Sequence, residues 1–164
     1  MKDSFRKNVP TPSSKKPGKY SAPPYVLDHV KQSLYLDWLR KKAAAHVKRD
    51  RKRWNETISA SLYQDAIHRA VKGGDGKDPY TGALLEWGLI GKYRNESARG
   101  KGSAYKKKFR LLPTVDHLDS KLTKNPKFQI CSWEVNDAKS DLSHKEFVGL
   151  CQKIVTRLGS SESA

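Results

Sequence analysis

The chain of 164 residues carries 33 lysines and arginines against 17 acidic residues, a formal charge of +16, which exceeds what solubility needs and points to a polyanionic partner, nucleic acid first. The length suits one domain with its own core and argues against a second catalytic domain. Two cysteines, Cys131 and Cys151, with no C-x-x-C pair, exclude a disulfide framework and a four-cysteine zinc site. No apolar run approaches the roughly 18 residues of a membrane span, and the N-terminus lacks the apolar centre of a secretory signal, so the expectation is a cytoplasmic protein without membrane contact.

Residues 1–24, with five prolines among serines and lysines, read as a flexible basic arm. Residues 25–77 read as a helical portion. Leu27, Val30, Leu34 and Trp38 predict one long amphipathic helix ending in the cationic run Lys48 to Arg53. A second helix is expected from a cap at Thr57 to Gly73-Gly74, with Ile58, Leu62, Tyr63, Ala66, Ile67, Ala70 and Val71 on its apolar face. The two should pack as a hairpin, offering Arg49, Arg51 and Arg53 to phosphates. His29, His46 and His68 show no ligand spacing, and no chemistry is assigned to them.

Residues 78–159 change pattern. Asp78-Pro79-Tyr80-Thr81-Gly82 is turn chemistry, followed by a strand-like run from Leu84 to Tyr93 and a loop from Arg94 to Ala104. A second strand is predicted from about Lys106 to Val115, with Lys106, Lys107, Lys108 and Arg110 as phosphate contacts. After a polar connection, Phe128 to Trp133 reads as a buried strand and a helix begins near Glu134. The last helix has capping-box spacing at Ser143 and Glu146, and a stripe of Phe147, Leu150, Cys151, Ile154, Val155 and Leu158 that should face the core. Cys131 and Cys151 are both expected to be buried, and residues 160–164 form a loose tail.

The order strand, Asp116-His117, loop, strand, Asn136 at a helix start brings a carboxylate, an imidazole and an amide to one place. Asp116 and the Asn136 carbonyl offer the oxygens a hard divalent cation takes, and His117 is left for proton transfer. The bland readings are a turn-capping aspartate, an interior histidine and a helix-start asparagine. Pro113-Thr114-Val115-Asp116-His117-Leu118 and Asn136-Asp137-Ala138-Lys139-Ser140-Asp141-Leu142 resemble the two halves of the HNH, or ββα-metal, endonuclease signature, D-H and N-x-x-K. The resemblance spans roughly residues 106–155.

That resemblance implies an α+β fold in which a helical N-terminal portion packs on a ββα-metal core, followed by a C-terminal helix. It implies a DNA endonuclease with His117 as general base and Asp116 and Asn136 as ligands of one Mg²⁺ or Mn²⁺. Lys139, one helical turn after Asn136, reads equally as a phosphate contact and as a solvent-facing lysine. Asn125 is the asparagine nearest the family's middle position, which orients the base. An alternative alignment takes His117, Asn136 and His144 as the literal H, N, H series. The two C-x-x-C motifs of many family members are missing, so no structural zinc is expected; packing around Trp38, Trp54, Trp87 and Trp133 should replace it. The partner is then double-stranded DNA, with a homodimer if both strands are cut. Charge alone serves two other readings: a nucleic-acid-binding module without catalysis, and a structural component of a nucleoprotein or phage assembly.

Overall fold

A computed structural model describes residues 18–54, 59–93, 102–118 and 125–159. Pro23 and Pro24 preset the backbone for a single turn, α1 (Pro24–Leu27). The chain then bends through residues 28–31, so the helix expected from Leu27 onwards is broken, and α2 (Gln32–Trp54) begins afresh. α3 (Ala60–Gly73) packs against α2, the hairpin its apolar periodicity predicts. Ser59 caps α3 by accepting the Ser61 N–H at 3.2 Å. Thr57, the expected cap, lies outside the described residues, as do residues 1–17 of the basic arm, most of the 94–104 loop and the 160–164 tail. The end of the presumed arm is packed: Ala22 is buried, and the Tyr20 hydroxyl donates to Asp65 at 2.7 Å.

The middle of the chain departs from expectation twice. Leu84 to Tyr93 is no strand: Leu84 makes one isolated bridge with Lys77, and Trp87–Leu89 is a single 3₁₀ turn. Asp78 supplies the reason. Its Oδ1 accepts the N–H groups of Tyr80 and Thr81 at 2.8 and 2.9 Å, and its Oδ2 accepts the N–H of Ser132 at 2.6 Å. The turn is thereby fastened to the hairpin that follows rather than feeding a ladder of its own. Gly91, at φ 82°, turns the chain where an L side chain would be strained and where Leu34 leaves a Cβ only 3.0 Å. The second departure is residues 106–115, which divide into a helix, α4 (Gly102–Lys108), and a later strand. Tyr105 and Phe109, four residues apart with ring centroids 4.6 Å apart, pack as helical neighbours do; the lysine cluster hid that spacing.

β1 (Pro113–His117) pairs antiparallel with β2 (Phe128–Ser132), in a register that sets Asp116 opposite Gln129 and His117 opposite Phe128. α5 (Trp133–Lys139) starts at once, because Ser132 ends the strand and caps the helix, accepting the Val135 N–H at 3.3 Å. Hairpin then helix is the order expected, and the protein is α+β. α3 packs on β2, and α5 on both strands. The core joins the two halves through Tyr35, Leu39, Tyr63, Ile67, Trp87, Leu112, Val115 and Ile130. Trp38 and Trp87 meet edge to face at 5.4 Å within it, and Trp133 packs half-buried at its margin; the Trp54 side chain is outside the described set.

α6 (His144–Gly159) has its capping box: the Ser143 N–H donates to Glu146 at 2.8 Å, and the Glu146 N–H returns to Ser143 Oγ at 3.3 Å. Its apolar stripe does not join the core. Leu150, Ile154, Val155 and Leu158 are between 46% and 69% exposed. Cys151 is exposed as well, against expectation, while Cys131 is buried. Periodicity and cap specify a helix with an apolar face, not the surface that covers it. No helix among the described residues is long and apolar enough to cross a membrane.

Candidate active site

Neighbouring side chains of a strand leave it on opposite faces, and β1 uses this to give Asp116 and His117 different surroundings. On one face, Asp116 is 4% exposed. Its Oδ1 accepts from Lys139 Nζ at 2.9 Å, and its Oδ2 accepts from Gln129 Nε2 at 2.9 Å and from the Tyr80 hydroxyl at 3.4 Å. Lys139 is itself 3% exposed. The expected phosphate contact is therefore an internal cation: one turn after Asn136, its stem runs inward along α5 and its ammonium neutralises the buried carboxylate.

On the other face, His117 meets the helical hairpin. Its Nε2 lies 3.3 Å from Asp50 Oδ2 and 3.2 Å from Nδ1 of His46, both on α2. Phe128 packs against the imidazole with centroids 4.5 Å apart, and Tyr63 of α3 stands edge-on at 6.3 Å. The Tyr63 hydroxyl donates to the same Asp50 oxygen, and Asp50 is wholly buried. Burial drives His117 down from 6.5 to about 4, against the pull of Asp50. His46 is also held well below its ordinary value, by burial first and then by the charge of Arg49. In both rings burial favours the neutral form.

Asp116, His117, Asn136 and Lys139 line one small cleft of about 90 Å³, together with Arg49, Arg53 and residues 140–143. The left-handed Ser140, at φ 49°, ends α5 and turns residues 141–143 along that cleft. Arg53 pairs across it with Asp141 at 2.5 Å, and Arg49 Nη2 donates to His46 Nδ1 at 2.7 Å. Both arginine side chains are 44% exposed, so the rim is cationic and open to solvent. A much larger cleft, about 760 Å³ between the end of α3, the 73–79 turn and β2, contains none of the catalytic, metal-binding or phosphate-contact residues expected from the sequence.

The structure thus brings together Asp116, His117, Asn136, Arg49 and Arg53, and leaves others apart. Asn125 is exposed and makes no hydrogen bond with His117. His144, the ligand in the alternative alignment, rests on the Tyr80 hydroxyl at 3.2 Å and does not line the cleft. Lys106 is paired with Asp137 at 3.0 Å on the surface, while Lys107, Lys108, Arg110 and Arg51 are exposed beyond the cleft. Sequence reasoning missed His46, Asp50, Tyr63, Tyr80 and Gln129. One signal was present: Asp50 falls on the α2 face that carries Leu39, Ala43, His46 and Val47, and an acid on a buried helical stripe needs a partner.

The cleft offers two oxygen donors of the kind a hard divalent ion takes, the Asp116 carboxylate and the Asn136 side-chain carbonyl. Among the described residues no group of three or more His, Cys, Asp or Glu side chains is placed to hold a metal, so protein ligands reduce to one Asp116 oxygen and the Asn136 carbonyl. A magnesium-like ion commonly takes one or two carboxylates and completes its shell with water and phosphate. Asp116 already holds a cation, the Lys139 ammonium, and with Oδ2 accepting from both Gln129 and Tyr80 the lone pair left for an ion is the second one of Oδ1. Comparison of the chain with protein-family models, with curated proteins and with solved structures finds no match.

Proposed function

We propose that the protein is a divalent-metal-dependent endonuclease of the HNH type that hydrolyses phosphodiester bonds of double-stranded DNA. The observation that carries this reading is a neutral, half-buried His117 sharing one cleft with Asp116 and Asn136 under a rim of two exposed arginines. At about 90 Å³ the cleft has room for an ion and a few waters, not for a nucleotide, so the DNA backbone lies across its mouth and places one phosphate over it. Arg49 and Arg53 fix that phosphate through charge-assisted hydrogen bonds.

In the reaction a water oxygen bonds to phosphorus as the bond from phosphorus to the 3′ oxygen breaks. His117 takes the proton of that water, and the 3′ oxygen leaves to be protonated from solvent. An ion held by Asp116 and Asn136 would add positive charge beside the phosphate oxygens and the departing oxygen. Lys139 balances the charge of Asp116 and aims it, and does not reach the backbone. Cutting both strands with one site per chain would take two copies, which makes a homodimer on DNA part of the proposal.

Incubating the protein with supercoiled plasmid, with and without Mg²⁺ or Mn²⁺, tests this directly. Metal-dependent nicking is expected, and His117→Ala should lower turnover at least about a hundredfold while DNA is still bound. Undiminished cutting by that variant would remove His117 from the chemistry. A second reading has one observation in its favour: the Lys139 ammonium already satisfies Asp116. On that reading the cationic cleft binds nucleic acid without cutting it, and plasmid would be retarded yet intact under every metal condition.

A further inference from the structure

We propose that Asp50, from the N-terminal helical portion, is the positioning residue of His117: it holds the imidazole as the Nε2–H tautomer and so makes Nδ1 the nitrogen that receives the proton from water. The inference rests on His117 being the general base, and it names the atom that acts and the group that directs it.

The argument is one of donors and acceptors. Nε2 of His117 faces two atoms, Asp50 Oδ2 at 3.3 Å and His46 Nδ1 at 3.2 Å. A carboxylate oxygen accepts. His46 Nδ1 also receives Arg49 Nη2 at 2.7 Å, and a guanidinium nitrogen has protons only to give. His46 Nδ1 therefore carries its lone pair, and the proton of that ring is on Nε2. Neither atom opposite His117 Nε2 has a proton to give, and the Asp50 carboxylate accepts one, so the contacts call for a protonated Nε2. A neutral imidazole has one N–H, so the in-plane lone pair of His117 is on Nδ1. Among the described residues nothing hydrogen-bonds to that nitrogen. The opposite tautomer would set a lone pair against a buried carboxylate, beside the rings of Phe128 and Tyr63.

Asp50 is built for this one geometry. It is wholly buried, its Oδ2 also takes the Tyr63 hydroxyl, and its Oδ1 makes no hydrogen bond among the described residues, with Arg49 Nε 3.5 Å away. A buried carboxylate left short of partners is costly to keep for packing alone, which an apolar side chain serves better. Its use is to orient an imidazole and to meet the charge that appears on it. When a water proton reaches Nδ1 and the water oxygen joins phosphorus, the ring becomes an imidazolium, and its Nε2–H already points at an anion. α2 and α3 are thereby part of the reaction site as well as a support for it.

A two-bond ¹⁵N–¹H correlation spectrum of the uniformly ¹⁵N-labelled wild-type protein near pH 7.5 reads the tautomer without reference to cleavage. The expected pattern has a protonated Nε2 and a bare Nδ1 at His117; a protonated Nδ1 overturns the proposal. In the second arm, Asp50→Asn should populate both tautomers and lower kcat for plasmid nicking at least about tenfold, with KM unchanged. An unaltered tautomer and kcat in that variant would equally overturn it. Should Asp50→Asn fail to fold, the wild-type spectrum still overturns the proposal if Nδ1 carries the proton. Should wild-type protein leave plasmid intact, the nuclease reading falls, while the spectra of wild type and Asp50→Asn together still report whether Asp50 sets His117.

Discussion

Asp116 and His117 are adjacent in β1 and are looked after in opposite ways. Asp116 finds its partners within the hairpin and the helix that follows: Gln129 opposite it in register, and Lys139 only 23 residues on. Tyr80, from the turn before the hairpin, completes that set. His117 finds none of its polar partners there and takes them from α2, with His46 lying 71 residues upstream. The ββα unit can thus neutralise its own carboxylate, but it cannot orient its own imidazole. What reads from composition as a basic helical accessory is joined to the site through a buried acid and a buried histidine.

The largest effect separating the two faces should come from Lys139→Met. Truncating one partner of a buried ion pair leaves the other charged, desolvated and alone, which costs about 3 to 5 kcal/mol. Urea unfolding would measure it, and Asp116→Asn in the same background should recover much of the loss by removing the stranded charge. A cost under about 1 kcal/mol would mean that water reaches Asp116 freely, and that this face is no more enclosed than a surface pair.

The two faces also differ in how legible they were. Strand β2 and the cap of α6 follow from local rules, namely an apolar run and a Ser-x-x-Glu box, and the structure has both; α5 starts at Trp133, one residue before the start expected near Glu134. Asp116, His117 and Asn136 could be placed on one cleft because only one hairpin and one turn of helix separate them. The run from Leu84 misled because its outcome hangs on Asp78 reaching Ser132, 54 residues away. The partners of His117 were hidden for the same reason: whether His46 stands alone or sits against His117 depends on how α2 lies on β1, and no local pattern encodes that. Lys139 shows the converse. Its position was right and its role was wrong, since a lysine one turn past Asn136 can face either solvent or the sheet, and the four-carbon stem allows both.

Acid should reveal the His117 face selectively. In the folded protein His117 is depressed to about 4 from 6.5, so below pH 6.5 the unfolded chain binds a proton that the folded chain refuses. Stability is then complete above about pH 6.5, falls as the pH drops, and levels off below about 4, for a loss of up to about 3 kcal/mol. His46, depressed in the same sense, should deepen the loss. Denaturant midpoints taken across this range would show it, and His117→Gln should flatten part of the slope. A slope unaltered by that substitution would place the acid sensitivity elsewhere and weaken the contrast between the two faces.

The smallest expected effect on stability belongs to Arg53→Ala, and it isolates the rim from the buried pairs. Arg53 bridges α2 to Asp141, yet the two side chains are 44% and 79% exposed, so solvent screening leaves the pair worth little to folding. Its consequence should appear in DNA binding. An arginine that neutralises one backbone phosphate contributes about one unit to the slope of log affinity against log salt. Arg53→Ala should therefore weaken binding of any duplex sequence and shallow that slope by about one, whereas Lys139→Met, once corrected for its folded fraction, should leave the slope alone. If both variants shift the slope equally, Lys139 reaches the backbone after all and the cleft is one cationic surface. If only Arg53 does, the two cations of the cleft divide the work, one holding Asp116 in place and the other holding the substrate over it.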